Sequence, residues 1–333
     1  MSQAIDAAQS AAEETRRPRA AVSFLKRLFR EKPLGVVGLA LVVLLFFSGI
    51  FADLGWMGLP NVGLAPYSYK EVHVADRLTA PCAQYPLGTD GAGRDQLSRI
   101  IYGARISMIV GVAATALSTV ISTVIGLTSG FIGGKFDIIV QRFVDAWICF
   151  PGLAIFLLLV SLIGRGVPQL IFVLSIGGIG GSRGSRALAF WIKESVYVEA
   201  TRAIGGSTTR IVLRHLLPNV MPMIVVGFSM GMGGVILAES SLSFLGFGLP
   251  PPIPSWGSMI GGPSRYHMQR APWIPLFPGF ALTLAVYGVN MFGDAVRDLL
   301  DPRLRGGVGG MGAYGMEQAR KALRKRQARA EKA

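Results

Sequence analysis

Residues 197–219 read "YVEATRAIGGSTTRIVLRHLLPN" and lie between two apolar runs, although they carry one glutamate and three arginines. Gly205 can adopt the left-handed backbone conformation that ends a helix, and Ser207 can cap a second helix over residues 208–217. Pro218 is expected to mark the turn into the next apolar run, because it interrupts the helical hydrogen-bond ladder. The stretch therefore predicts two short helices set at an angle, a suitable docking element for a soluble partner.

The chain around this stretch has the composition of a membrane protein. Its 333 residues are 51% hydrophobic and 16% charged, and its mean hydropathy is +0.48. About 20 apolar residues cross a bilayer as a helix. Uncharged runs predict spans at residues 33–52, 106–134, 146–164, 219–238 and 271–293. A sixth span is predicted at residues 166–182, extended by 187–192, so the expected fold is all-α with about six transmembrane helices.

Three further predictions concern the spans and the membrane interface. The first run could be read as a signal peptide, but its polar leader of 32 residues is longer than that of cleaved signals, which favours an uncleaved anchor. Pro151 and Gly152 are expected to kink the third span. Trp256, in "PSWG", is expected to anchor the chain at the membrane interface.

The basic residues predict the orientation of the chain. Segments 1–32, 135–145, 183–218 and 294–333 hold 25 of the 33 Lys and Arg residues. Cytoplasmic loops carry such an excess, so both termini and the 197–219 stretch are expected in the cytoplasm. The net charge of +14 then indicates a membrane face with lipid as a partner. A nucleic-acid partner is not expected.

Several kinds of chemical site are excluded by pattern. The Gly-rich "GTDGAGRD" lacks the Gly-Lys-Ser/Thr ending of a phosphate loop, so the chain is expected to bind no ATP. The three histidines are far apart in sequence, which argues against a metal site. The chain has no H-E-x-x-H motif. We therefore expect no catalytic residues, no metal and no cofactor in this chain.

The polar stretch resembles a motif of ATP-binding-cassette importer permeases, which reads E-A-A, three residues, G, nine residues, I-x-L-P. Glu199-Ala200-Thr201, Gly205 and the end of the stretch match its spacing, with Thr201 replacing Ala and His215 replacing Ile. The ending "RHLLPN" is similar to the peptide and nickel branch. The resemblance implies a pair of coupling helices that contact an ATPase. The implied coupling residues are Glu199, Ala200, Arg202, Gly205, Gly206, Arg210, His215 and Pro218.

Further blocks resemble the C-type permease of dipeptide and oligopeptide importers. They are "PLGTDGAGRDQLSRIIYGARIS" (86–107), "SLSFLGFGLPPPIPSWGSMI" (241–260), "APWIPLFPG" (271–279) and "NMFGDAVRDLLDPRLR" (290–305). The resemblance implies the type I importer permease fold. Its expected divisions are a cytoplasmic segment (1–32), an anchor (33–52), an extracytoplasmic loop leading into the second span (53–105), a permease core (106–297, with coupling loop 195–218) and a basic cytoplasmic tail (298–333).

The same resemblance implies partners, location and substrate. The expected partners are a homologous B-type permease, two ATPases that bind ATP and Mg, and an external substrate-binding protein in a bacterial or archaeal inner membrane. The expected substrates are di- or oligopeptides, with nickel, glutathione and oligosaccharides as alternatives. A secondary transporter without an ATPase is the alternative from another class. It would need inverted repeats and acidic residues at mid-membrane, and neither is evident in the sequence.

Two groups of polar residues are further candidates. Glu239, Ser243 and Asn290 could line the pathway or a gate, since an ionisable group near a span needs a partner or water. Alternatively, Glu239 forms interfacial hydrogen bonds with Ser240 and Ser241. The residues Asp90, Arg94 and Asp95 could contact the binding protein. Otherwise they fix their own loop, as Asp90 can do by bonding its own backbone.

Overall fold

The computed structural model describes residues 20–53, 63–262 and 264–300, and its secondary structure is helical. The helices are α1 (Ala20–Glu31), α2 (Pro33–Ile50), α3 (Gln96–Ile132), α4 (Gly134–Ile148), α5 (Gly152–Ile163), α6 (Val167–Ser175), α7 (Gly178–Lys193), α8 (Val196–Ala203), α9 (Thr208–Ile211), α10 (Leu217–Phe244), α11 (Trp256–Ile260), α12 (Ser264–His267) and α13 (Trp273–Leu300). A π-helical turn (Val212–Leu216) joins α9 to α10. The predicted all-α fold class is confirmed, whereas most of the predicted segments 1–32 and 298–333 lies outside the described residues.

Four helical segments are long and apolar enough to cross a membrane. They are α2, α3, the continuous segment Thr208–Phe244 and α13. Each covers all or most of one of the spans predicted from the sequence. The helix α3 begins ten residues before the predicted start of its span, because Asp95 caps it at Gln96.

The two remaining predicted spans each fall on two helices. The helices α4 and α5 meet at 88° across residues 149–151, because Pro151, which has no N–H to continue the ladder, stands at the N-cap of α5. The predicted kink is thus a complete break, and the two helices together are long and apolar enough for one broken span. The span predicted at residues 166–182 and 187–192 breaks at Ile176-Gly177 between α6 and α7. Neither α6 nor α7 is among the described helices that are long and apolar enough to cross a membrane, and α7 contains Arg183 and Arg186.

Those arginines are paired with α4. Arg186 donates from Nε and Nη2 to the two carboxylate oxygens of Asp137, at 2.7 and 2.6 Å. Arg183 donates to Asp145 at 2.5 Å. Bidentate charge-assisted hydrogen bonds of this kind fix geometry as well as charge. They hold α4 beside α7 and explain why α7 continues through its two charged positions.

The long helix α3 packs closely against α7. A Cβ atom at Gly126 would lie 2.4 Å from the Ser182 carbonyl oxygen, and one at Gly130 would lie 2.8 Å from that of Arg186. Small residues four apart allow two membrane helices to approach this closely. A similar contact joins α2 to α13, where a Cβ at Gly38 would lie 2.6 Å from the Phe292 nitrogen.

The bundle has two different ends. At one end α7 leads into α8 and α9, which we call the helix pair (residues 196–211). The other end follows α10 and precedes α3, and we call it the cap (residues 63–95 and 246–262). Trp256 in the cap is 2% exposed and donates from Nε1 to the Ile100 carbonyl at 3.0 Å. The prediction of an interfacial anchor is therefore wrong for Trp256, which is a core residue.

Candidate functional site

The helix pair has the geometry that its sequence predicts. The helix α8 ends before Gly205, whose φ is +81°. Gly205 N donates to the Arg202 carbonyl and Gly206 N to the Thr201 carbonyl, both at 2.9 Å. These two bonds form the Schellman motif that closes a helix C-terminus. Ser207 then caps α9 by accepting a hydrogen bond from the Arg210 nitrogen at 3.3 Å.

Buried side chains anchor the helix pair to the bundle. Val198 from α8 is 0% exposed and Ile211 from α9 is 1% exposed. Both belong to an apolar cluster with residues from the ends of α3 and α7. The other buried members are Leu127, Phe131, Ala189, Ile192, Leu216 and Val220. The Arg202 guanidinium also lies 5.1 Å from the Phe131 ring centroid. Phe131 therefore contributes to the position of α8 through this contact as well as through the apolar cluster.

The connection from the helix pair to α10 differs from the prediction. Pro218 does not mark a turn, because it lies in the first turn of α10, directly after the π-helical segment. The Leu217 nitrogen donates to the Val212 carbonyl across this wider turn, and Asn219 Nδ2 donates to the His215 carbonyl at 2.7 Å. The wider π-helical turn lets the helix continue past a residue that has no N–H to donate. The helix pair therefore continues into α10 without a flexible joint.

A second bond ties the helix pair to α10. Asn219 Nδ2 also donates to the Tyr197 hydroxyl at 3.2 Å, which connects the start of α10 to α8. The helix α8 is thus joined to α10 by a hydrogen bond as well as by the buried cluster. Neither partner of this bond was among the residues singled out in the sequence.

The remaining surface of the helix pair is exposed. Ile204 is 85% exposed and Val196 81% exposed. Such exposure is unusual for large aliphatic side chains beside α8, which is too short to cross a membrane. Among the predicted coupling residues, the exposed ones are Glu199, Ala200, Arg202, Gly205, Arg210 and Pro218, and the half-buried ones are Gly206 and His215. The arrangement presents apolar and charged groups together on one protruding surface.

The three predicted pathway residues do not form one cluster. Glu239 is 0% exposed and accepts hydrogen bonds from Ser243 Oγ at 2.7 Å and Ser240 Oγ at 3.4 Å. Ser241, offered as an alternative partner, instead donates to the Leu237 carbonyl. Asn290 packs beside Gly233, about 9 Å along α10 from Glu239 by helical rise. Glu239 is thus held inside the bundle, away from any open surface.

The structure shows a cavity with several hydroxyl groups in its wall that the sequence reasoning missed. Its volume is about 480 Å³, and residues from α3, α7 and α10 line it. The lining includes the hydroxyl residues Thr115, Ser118, Ser122 and Ser185 and the glycines Gly227 and Gly231. None of its described lining residues is charged, and the buried Thr115 hydroxyl has no hydrogen-bond partner within the described chain. We call this space the hydroxyl cavity.

A sequence signal for the hydroxyl cavity did exist. Thr115, Ser118 and Ser122 recur at spacings of three and four within an otherwise apolar run, which places them on one face of a helix. The glycines of α10 that line the cavity are also four apart. The search for ionisable groups in the spans overlooked this neutral stripe.

The predicted contacts for a binding protein lie in the cap. Asp90 is 7% exposed and Asp95 3% exposed. Asp90 Oδ1 accepts from the backbone nitrogens of Ala92 and Arg94, at 2.8 and 3.0 Å, while Asp95 Oδ2 accepts from the Ser98 nitrogen at 2.7 Å. Both carboxylates thus fix their own loop and are not presented on the surface. Arg94 is the most accessible of the three predicted contacts.

Aromatic packing completes the cap. Tyr85 is 1% exposed and donates from its hydroxyl to Asp76 Oδ2 at 2.9 Å. Burial together with this hydrogen bond raises the pKa of Tyr85 to about 12. The Tyr67 ring lies 5.4 Å from that of Tyr85, so the loop has a small core of its own.

Within residues 20–53, 63–262 and 264–300, no group of three or more His, Cys, Asp or Glu side chains is placed to hold a metal ion. Of the described buried carboxylates, Asp90 and Asp95 are engaged in turns and caps, and Asp137 in a helix-to-helix ion pair.

Comparison with known proteins agrees with this description. Residues 122–306 match the family model described as binding-protein-dependent transport system inner membrane component. The chain is 35% identical over 281 residues to a dipeptide transport system permease protein of Alkalihalophilus pseudofirmus, covering 84% of this chain and 89% of that protein. It is 36% identical over 282 residues to a glutathione transport system permease protein of Escherichia coli, covering 84% and 90%. The chain is therefore a multi-pass membrane permease subunit that belongs to the binding-protein-dependent transport family of ATP-binding-cassette importers.

Proposed function

We propose that this chain forms half of the translocation pathway of an importer for short peptides and that the helix pair couples it to the ATPase subunits. The observation that carries the proposal is the protruding surface around Ile204, where a large aliphatic side chain is 85% exposed. Burying such a side chain in a partner's groove gains about 1.5–3 kcal/mol. Glu199 and Arg202 beside it supply charges for orientation.

The distribution of basic residues supports an orientation with both termini and the helix pair in the cytoplasm. In that orientation the ATPases dock where ATP is available, and they bind the ATP and Mg. In this proposal the nucleotide is bound by the ATPases and not by this chain. The cap then faces the outside, where the substrate-binding protein releases the substrate to the permease.

The mechanism follows from the continuity of the helix pair with α10. Closure of the ATPase dimer on ATP displaces the helix pair. The π-helical turn and the Tyr197–Asn219 bond transmit this displacement to α10, which also lines the hydroxyl cavity. Movement of one wall of that cavity shifts the membrane core between inward-open and outward-open arrangements. A homologous B-type permease supplies the other half of the pathway.

A short peptide suits the hydroxyl cavity. Serine and threonine hydroxyls both donate and accept hydrogen bonds, so they can solvate peptide groups of either polarity without holding a charged terminus in place. The relatives named for dipeptide and glutathione transport favour the same class of substrate. We infer that the external binding protein selects the individual peptide.

The coupling role is tested by placing a charge on the exposed tip. We expect Ile204→Glu to reduce the amount of ATPase that co-purifies with the permease at least tenfold, because the carboxylate would be buried at the interface. The matched control is Val74→Glu in the cap, where the side chain is 66% exposed. Equal ATPase recovery from both variants and the wild type would contradict the proposal.

A further inference from the structure

The cap contains a cavity that neither the family assignment nor the proposed pathway explains. Its volume is about 420 Å³, within the range of small-ligand sites. Its lining includes four arginines, and Asp90 is the one carboxylate among the described lining residues. The arginines are Arg77, Arg94, Arg99 and Arg165. The cavity therefore carries an excess of positive charge.

Arg99 is the least satisfied of these groups. It is 6% exposed, and its Nη1 makes two long hydrogen bonds, to the carbonyls of Tyr69 and Pro252, both at 3.3 Å. Its Nε has no hydrogen-bond partner in the described chain, and the nearest carboxylate oxygen, on Asp90, lies 3.7 Å away. A buried guanidinium with an unused donor favours an anion.

Asp90 does not neutralise the cavity. Its Oδ1 is taken by two backbone nitrogens, and its Oδ2 accepts from Arg94 Nε at 2.8 Å. Arg77 donates from Nε to the Gly91 carbonyl, and the Arg165 guanidinium lies 5.5 Å from the Phe247 ring centroid. Neither Arg77 nor Arg165 forms an ion pair with a carboxylate among the described residues. Their charges are consequently available to a bound anion.

The cavity also touches the moving part of the molecule. Ser243, in the last turn of α10, lines it and donates to the buried Glu239 on the same helix. The helix α10 therefore has the arginine-lined cavity at one end and the helix pair at the other, with the hydroxyl cavity between them. A ligand in the cap would contact the same helix that the ATPases displace.

We infer that the arginine-lined cavity is a binding site for the carboxylate of a small solute, which receives the C-terminal end of the peptide before it enters the pathway. This inference rests on the proposed function for the identity of the solute. A free carboxylate can accept two parallel hydrogen bonds from a guanidinium, an arrangement that an amide cannot reproduce. Recognition at this site would therefore require an unblocked C-terminus.

The test measures binding to the full-length chain in nanodiscs of zwitterionic phosphatidylcholine, without ATPases or binding protein. The probes are L-alanyl-L-alanine and its C-terminal amide, and isothermal titration calorimetry measures the Kd of each. We expect the free acid to bind about tenfold more tightly than the amide, since hydrogen bonds to charged groups are the stronger ones. Arg165→Gln should weaken binding of the free acid about fivefold.

Arg270→Gln is the matched control, because Arg270 is exposed near the cap and does not line the cavity. Equal binding of acid and amide, or equal losses in the two arginine variants, would overturn the inference. Adding phosphatidylglycerol to the nanodiscs identifies a competing source of anion. Loss of dipeptide binding there would assign the cavity to a lipid phosphate and also overturn it. Each of these failures leaves the ATPase co-purification test of the helix pair unaffected.

Discussion

The helix pair and the cap differ in how much they expose their large apolar side chains. In the helix pair, Val196 and Ile204 are more than 80% exposed. In the cap, the large side chains of Tyr85 and Trp256 are at most 2% exposed. The exposed aliphatic side chains of the helix pair fit completion by a partner. Tyr85 and Trp256 in the cap are instead enclosed by the chain's own residues, although Val74 in the same region is exposed.

The polar groups show the same contrast. Asp90 and Asp95 in the cap are buried, and their carboxylate oxygens accept hydrogen bonds from a loop backbone and from the first turn of α3. Glu199 in the helix pair is exposed. Substitutions in the cap should therefore change stability first, whereas substitutions on the exposed surface of the helix pair should change coupling first. The predictions below test this difference between the helix pair and the rest of the molecule.

The largest effect is expected where the helix pair is anchored. Val198→Asp would bury a charge at a position that is 0% exposed, which costs about 3–5 kcal/mol when the charge has no partner. The helix pair should detach from Phe131 and its neighbours. Trypsin cleavage after Arg202 and Arg210 should become much faster in the purified membrane protein, and uptake should fall to background.

Ala203→Asp is the control for that experiment, because Ala203 is exposed on the same helix. Its effect on folding should stay within about 0.5 kcal/mol, and its rate of trypsin cleavage should match the wild type. If Val198→Asp were cleaved no faster than Ala203→Asp, the buried cluster would not be what holds α8 in place.

An intermediate effect is expected from backbone strain placed at two sites. Gly205 and Gly164 have φ values of +81° and +98°, and a Cβ at either would meet nothing within 4 Å. Valine should therefore cost about 1–2 kcal/mol at Gly205 through backbone strain alone. The cost should be about 1–3 kcal/mol at Gly164, whose ψ of −179° lies in a region adopted essentially by glycine. We expect Gly205→Val to reduce dipeptide uptake at least tenfold, because the angle between α8 and α9 would change.

Gly164→Val should retain most of the uptake, because residue 164 lies between α5 and α6, away from the helix pair. Uptake is normalised to the amount of permease in the membrane by immunoblot. Similar losses in both variants would show that strain anywhere in the bundle impairs transport, and the special role of Gly205 would then be withdrawn.

Local rules predicted the helix pair well. The break at Gly205 and the cap at Ser207 depend on the conformational freedom of one residue and the side chain of another, and both are visible within ten residues of sequence. The apolar runs likewise located the long helices, because a bilayer imposes a minimum length on each. Features that a short window contains were correct in kind.

Features that depend on distant residues were not predicted. Trp256 is buried because Gly103, far away in the sequence, leaves room for its ring at 2.9 Å from the position of a Cβ. Pro218 continues a helix because it directly follows a wider π-helical turn that accommodates a residue without an N–H. The hydroxyl cavity exists because three helices bring their small residues together. Each of these outcomes requires a contact that no single segment specifies.

The smallest effect is expected from removing an N-cap at each end. Asp95 caps α3 through bonds of 2.7 and 2.6 Å to Ser98 and is buried, whereas Ser207 caps α9 at 3.3 Å and is exposed. Asp95→Ala should cost about 1–2 kcal/mol and Ser207→Ala about 0.5 kcal/mol. The first variant should lower the Tm in detergent by roughly 2–4 °C per kcal/mol, and the second should change it little.

Asp95→Asn is the conservative control, because asparagine also caps helices well, and its Tm should stay close to that of the wild type. Uptake per folded molecule should be unchanged in both Asp95 variants, since the Asp95 carboxylate faces its own loop. A loss of uptake in Asp95→Ala with an unchanged Tm would instead make Asp95 a contact for the binding protein. The cap would then resemble the helix pair in depending on a partner, and the contrast between the two ends would no longer hold.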